Sequence, residues 1–128
     1  MRVRLTAASA VSLLAGVLFT SLAGTSLSQT VAADYVAAPD VYKVAAEDDR
    51  YRLVEGTWKP GQRDAFHSHP AALFYWVTPC SLRFHLPDGT VRDANVLAGQ
   101  AGRQLAVVSH SVENTSKSEC KVVMLEPK

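Results

Sequence analysis

The sequence predicts an all-β protein built as a single domain, a sandwich or a barrel. Three observations lead there. The 128 residues suit one domain rather than two. No stretch beyond the N-terminal leader keeps an apolar period of 3.6 over three turns, whereas Leu82, Phe84 and Leu86 alternate with Arg83 and His85 in the period-two pattern of a half-buried strand. Turn-forming residues also recur every several positions, which divides the chain into many short extended segments.

In chain order, Val41–Ala45 is a first strand, closed by the acidic turn Glu47-Asp48-Asp49. Tyr51–Trp58 follows, rich in residues suited to a pleated surface, and ends at Pro60-Gly61. Ala65–His69 and Ala71–Val77 are two extended segments separated at Pro70. Leu82–Leu86 runs into Pro87-Asp88-Gly89, the strongest hairpin signal in the chain, and Thr90–Leu97 returns from it. Ala98–Gly102, with two glycines, reads as a loop. Gln104–Val112 is a further strand, Asn114–Glu119 a polar turn, and Lys121–Leu125 the closing strand.

The first 33 residues read as a signal peptide. Arg2 and Arg4 make a basic start, no charge follows until Asp34, and Val11–Leu22 is an apolar run. That run is shorter than the roughly 20 residues a membrane span needs, so no stable membrane insertion is expected after cleavage. Cleavage fits after Ala23 or after Ala33, and the second leaves residues 34–128 as the folded domain. Thr25 stands where a lipoprotein would have its cysteine. The expectation is an exported protein, periplasmic or secreted. Net charge is +1 with no basic cluster beyond the leader, so the footprint of a nucleic-acid binder is missing. In an oxidising compartment Cys80 and Cys120, the only two cysteines, are free to pair or to remain as separate thiols.

Chemistry concentrates in the histidines. His67 and His69 are two apart on an expected strand and so share a face, beside the small Ala65 and Ala71. His110 lies on a later strand segment. Three imidazoles converging inside a barrel suit a transition metal with open positions for water or substrate. His85 has the opposite parity to its apolar neighbours and reads as an exposed surface histidine. Trp58, Phe66, Trp76 and Phe84 are packing residues of core or rim, and Arg103 and Gln104 either form a solvated strand end or send one side chain to the pocket mouth. Ser68 and Ser109 each adjoin a histidine but point to the opposite face, which argues against a Ser–His nucleophile pair there.

The spacing around the histidines resembles the cupin superfamily. Gly61, then His67-x-His69, is similar to the start of the first cupin motif, and Gly99, then His110 and Asn114, is similar to the second. The likeness spans about residues 41 to 126, with Pro87-Asp88-Gly89 between the motifs. It implies a small jelly-roll β-barrel in which His67, His69 and His110 hold a divalent transition metal such as Fe, Mn, Ni or Zn. It also implies a possible homodimer through the edge at Val41–Ala45. The sequence departs from the pattern in several places: Leu73 and Phe74 stand where the motif supplies a glutamate, Ser81 replaces a glycine, and Leu105 and Val107 replace a proline and a glycine. No other carboxylate is an obvious substitute, since Glu113 has the opposite parity to His110 and should face outward. Three neutral imidazoles would leave an ion's charge uncancelled and favour anionic ligands. The functional expectation is a metal-dependent, dioxygenase-like cupin acting on a small organic substrate. The alternative is a non-catalytic periplasmic cupin that binds a small molecule or a metal. Asn114, Gly61 and Gly99 are expected to fix turns.

Overall fold

The structure is a computed structural model that describes residues 30–128; of the expected leader, residues 1–29 lie outside the described part. Nine antiparallel strands follow a single helical turn, α1 (Asp34–Ala37). The strands are β1 (Tyr42–Glu47), β2 (Tyr51–Trp58), β3 (His67–His69), β4 (Ala72–Trp76), β5 (Cys80–His85), β6 (Val91–Val96), β7 (Ala101–Gln104), β8 (Val107–Asn114) and β9 (Cys120–Pro127). They form two sheets, a five-stranded one in the order β1-β2-β9-β4-β7 and a four-stranded one in the order β3-β8-β5-β6. This interleaved order, in which strands distant in sequence become neighbours, is consistent with a jelly roll. No helix among the described residues is long and apolar enough to cross a membrane.

The core lies between the inner faces of the two sheets, and period-two alternation builds it. On β9, Cys120, Val122 and Met124 are buried in step, while on β2 Val54 and Trp58 play the same part. Trp58 and Trp76 stack at 6.3 Å between ring centroids, and Tyr42 meets Trp58 edge-on at 5.2 Å. Gly56 makes that second contact feasible, because a Cβ there would come within 3.0 Å of the Tyr42 ring.

Most expected strands form within a residue or two of their sequence limits, and two segments differ. Ala98–Gly102 was to be a loop, yet Ala101–Gln104 pairs with β4 as an edge strand. Its glycine is the reason the pattern reads as a loop and also the reason the strand packs: a Cβ at Gly102 would meet the Phe74 ring at 3.0 Å. The expected strand Gln104–Val112 is broken at Leu105-Ala106, and β8 starts at Val107 and runs on to Asn114.

Cys80 and Cys120 form a disulfide with 5.5 Å between Cα atoms, joining the start of β5 to the start of β9 and so one sheet to the other. Asn114 closes the neighbouring turn, as expected. Its amide donates to the carbonyl oxygens of Trp58, Lys59 and Ser118, and its oxygen accepts from the Ser116 N–H. Gly61 and Gly99 adopt φ of 74° and 80°, the left-handed backbone that glycine takes without strain.

Candidate metal centre

The three expected histidines come together. β3 pairs with β8 so that His67 sits opposite His110, and His69 lies two residues along on the same face. All three are buried, His67 completely. Their Nε2 atoms converge: His67 lies 2.9 Å from His69 and 3.0 Å from His110. The ligand atoms of the three all lie within 4.8 Å of one another.

The other ring nitrogens show why the Nε2 atoms are free to bind a cation. His67 Nδ1 lies 2.8 Å from the Ala65 carbonyl, an acceptor only, so Nδ1 carries the proton and donates it. His69 Nδ1 donates to Glu126 Oε1 at 3.1 Å. Both Nε2 atoms are then bare lone pairs, and no proton occupies the 2.9 Å between them. Burial pushes the His67 pKa down to about 4 and that of His110 down to about 3, so both rings are neutral near pH 7. Neutral imidazole is the ligand form that metals require. Metal–nitrogen bonds of about 2.1 Å at right angles put their donors about 3.0 Å apart, whereas a tetrahedral site needs about 3.4 Å. The two separations made by His67 are those of neighbouring positions around an octahedral ion.

Carboxylates stand behind the imidazoles, and the sequence reading missed them. Position 73 or 74 does lack the motif glutamate: Leu73 is exposed on the outer face, and Phe74 packs against the core. The expectation that no other carboxylate substitutes is corrected for charge, though not for direct ligation at Nε2. Glu126 and Asp34 approach His69 Nδ1 at 3.1 and 3.5 Å, and Asp64 lies 3.6 Å from His67 Nδ1. All three are buried and would offset much of an ion's charge, so the expected preference for anions is weakened. Glu126 carried a readable signal, since it shares the parity of Cys120, Val122 and Met124, all of which face inward. Asp34 carried none, because its place depends on α1 folding back over β3.

Asp64 ties the centre to the core. Its Oδ1 accepts from the Val112 N–H at 2.6 Å, and its Oδ2 accepts from Trp58 Nε1 at 3.0 Å and the Tyr42 hydroxyl at 3.1 Å. Burial still pushes its pKa up to about 6 against those hydrogen bonds. The Tyr42 hydroxyl is also 3.2 Å from His67 Nε2. Burial, followed by the charge of Asp64, holds its phenol well above the usual tyrosine range, so it remains a proton donor at the edge of the site.

An open-ended cavity of about 210 Å³ adjoins the centre. His69 and His110 line its wall with Tyr42, Phe74, Trp76 and Phe84. Of Arg103 and Gln104, Gln104 reaches it, and its Nε2 is buried without a partner, while Arg103 is exposed. Trp58 and Trp76 are core residues, Phe84 is partly buried and Phe66 lies exposed on the rim. His85 is corrected from a freely exposed residue: it is half-buried, and its Nε2 pairs with Glu113 Oε2 at 2.9 Å on the outer face. Glu113 does face away from the metal centre.

With the two sheets and the inward histidines in place, the chain has the cupin fold. It is similar to a cupin domain from Bordetella pertussis Tohama I, with a TM-score of 0.63 and 24% identity over 69% of this chain and 92% of that one. A conserved protein with a double-stranded β-helix domain from Klebsiella pneumoniae aligns with a TM-score of 0.53 and 21% identity, over 68% of this chain and 76% of that one. The polyketide cyclase RemF from Streptomyces resistomycificus aligns with a TM-score of 0.54 and 22% identity, over 76% and 73% of the two chains. At these identities the likeness is one of fold. No family model matches the sequence, and no curated protein matches it.

Proposed function

We propose that this chain is an exported, metal-dependent cupin of the oxygenase type, acting on a small and largely apolar organic molecule. The observation that carries the reading is the convergence of three Nε2 atoms, two of them shown by their Nδ1 partners to be bare. His67, His69 and His110 would hold a divalent ion such as Fe(II), which supplies Lewis acidity and a meeting point for substrate and O₂. The rest falls to the chain itself. Tyr42, Phe74, Trp76 and Phe84 exclude water from the cavity. Gln104 offers an unused N–H to a carbonyl or hydroxyl of the bound molecule, and the Tyr42 hydroxyl, whose proton goes to Asp64 Oδ2, sets its oxygen 3.2 Å from His67 Nε2 at the edge of the site.

One observation favours the second reading, a non-catalytic binder of a small molecule or metal. Asp64 and Glu126 are engaged by N–H or O–H donors, and Asp34 lies on the side of His69 away from Nε2, so among the described residues no carboxylate faces the cavity as a general base. The test is metal content of the exported protein beside a His67→Ala, His110→Ala double variant, followed by oxygen uptake with small carboxylates and diketones. Stoichiometric metal in the wild type, with one ion fewer in the variant, supports the centre. Oxygen uptake then selects the enzyme, and its lack across the panel selects the binder. No metal after reconstitution with Fe(II), Mn(II), Ni(II) and Zn(II) refutes both metal readings.

A further inference from the structure

Three elements converge on the far side of the His69 ring. β3 supplies Nδ1 of His69, β9 supplies Glu126, and α1 supplies Asp34. Glu126 Oε1 lies 3.1 Å from Nδ1, Asp34 Oδ2 lies 3.5 Å from it, and the ligand atoms of the three fall within 4.8 Å of one another. All three residues are buried. Both carboxylate oxygens of Asp34 are buried without a well-aligned hydrogen bond, the Tyr35 N–H giving only a weak backbone contact. A buried carboxylate without a well-aligned donor is strongly disfavoured, and here a second one stands beside it with a single N–H between them. Arg52 acts on Asp34 only weakly through its charge, since its Nε donates to Glu47 at 3.2 Å and its guanidinium lies over the Tyr35 ring.

A cation accounts for the arrangement. Bonds of 2.0–2.1 Å in tetrahedral geometry separate donors by about 3.3 Å, which falls between the two observed distances. Two oxygens and one imidazole nitrogen suit zinc or copper. We propose that Asp34, Glu126 and His69 Nδ1 form a second metal site, with the His69 ring bridging it to the three-histidine centre. The inference rests on the metal reading of that centre. On binding, the Nδ1 proton leaves to solvent and the ring bridges as imidazolate, with the two ions about 6 Å apart. The second ion joins α1 to β3 and β9, so it fastens the N-terminal segment across the end of the sheets.

The segment is already seated for this. The Ser68 N–H donates to the Ala32 carbonyl at 2.9 Å, and Ser68 Oγ donates to the Val31 carbonyl at 2.9 Å. Asp34 is therefore placed by backbone contacts that do not depend on its own side chain, and Asp34→Asn should keep its position.

The experiment uses protein exported from the full-length chain, stripped with chelator and reconstituted with Zn(II), with bound metal counted by mass spectrometry. Two zinc ions per chain in the wild type, and one in Asp34→Asn, is the expected result. One ion in the wild type, or two in the variant, overturns the second site and leaves the three-histidine centre standing. None in the wild type overturns both. A second measurement needs no variant: wild type loaded with two equivalents of Cu(II) should give a spin signal depleted by exchange across the ring. Two uncoupled copper signals at full intensity would overturn the bridge.

Discussion

Replacing His110 with leucine in the metal-free protein gives a prediction whose size follows from burial. His110 is 8% exposed and its pKa is lowered to about 3, first by burial and then by His67 and His69. In the unfolded chain an ordinary histidine takes up a proton near pH 6.5, while the folded chain does not. A depressed pKa of this kind leaves stability intact above 6.5 and removes it as pH falls from 6.5 toward 3. At pH 5 the penalty has reached about 1.5 pH units, or about 2 kcal/mol, and any folded pKa well below 5 gives the same figure. His67, lowered to about 4, behaves in the same way. Asp34 and Asp64 act in the opposite direction, because their pKa values are raised to about 6 and they gain stability as pH falls toward 3.8. The wild type therefore loses less on acidification than its histidines alone would cause.

His110→Leu removes one histidine from that balance and keeps the apolar contact with Phe84, 5.8 Å away between rings. Between pH 7 and pH 5 the variant should lose about 2 kcal/mol less than the wild type. Urea unfolding of both metal-free proteins at the two pH values measures this directly. With a slope of about 1–2 kcal/mol per molar, the double difference amounts to about 1–2 M in midpoint. The variant should also lose the metal ion of the three-histidine centre. Equal pH dependence in the two proteins would mean that His110 titrates normally in the fold, and the buried, neutral three-histidine cluster would be refuted.

Four further outcomes are expected. Glu126→Gln keeps the shape beside His69 but weakens the acceptor at Nδ1, so affinity of the three-histidine centre should fall about 10- to 100-fold in chelator competition; unchanged affinity would show that Glu126 does not act through His69. Removing the disulfide by Cys80→Ala and Cys120→Ala opens a loop with a sequence separation of 40, which should lower unfolding free energy by about 4 kcal/mol in denaturant titration. Gln104→Leu should leave metal content intact while weakening ligands that carry a hydrogen-bond acceptor about tenfold or more, read by ligand titration against an apolar analogue. Intact mass of the exported protein should place its first residue at Gly24 rather than Asp34, because Val31 and Ala32 accept hydrogen bonds from Ser68 and the Ala33 carbonyl starts α1.

The all-β class, most strand limits and the three histidines were legible in the sequence because each rests on local pattern. Alternation of period two sets which face a side chain takes, so His67 and His69 declared a shared face without any knowledge of their neighbours. Glu126 obeyed the same rule, in step with Val122 and Met124, although inward-facing carboxylates look anomalous until their partner is known. β7 was hidden because a strand made of Ala101, Gly102, Arg103 and Gln104 has no propensity of its own; it exists because Phe74 leaves room for a glycine and β4 offers an unpaired edge.

Tertiary structure alone decided what surrounds the metal ligands. The 2.9–3.0 Å convergence of Nε2 atoms depends on the β3–β8 register, which no local signal fixes. Asp34 reaches His69 across a sequence separation of 35 residues only because the backbone of residues 31–33 bonds to Ser68. Sequence sets the faces of strands, since those follow from backbone geometry residue by residue. Which faces meet, and which buried charges then lie side by side, depends on long-range pairing of the whole chain.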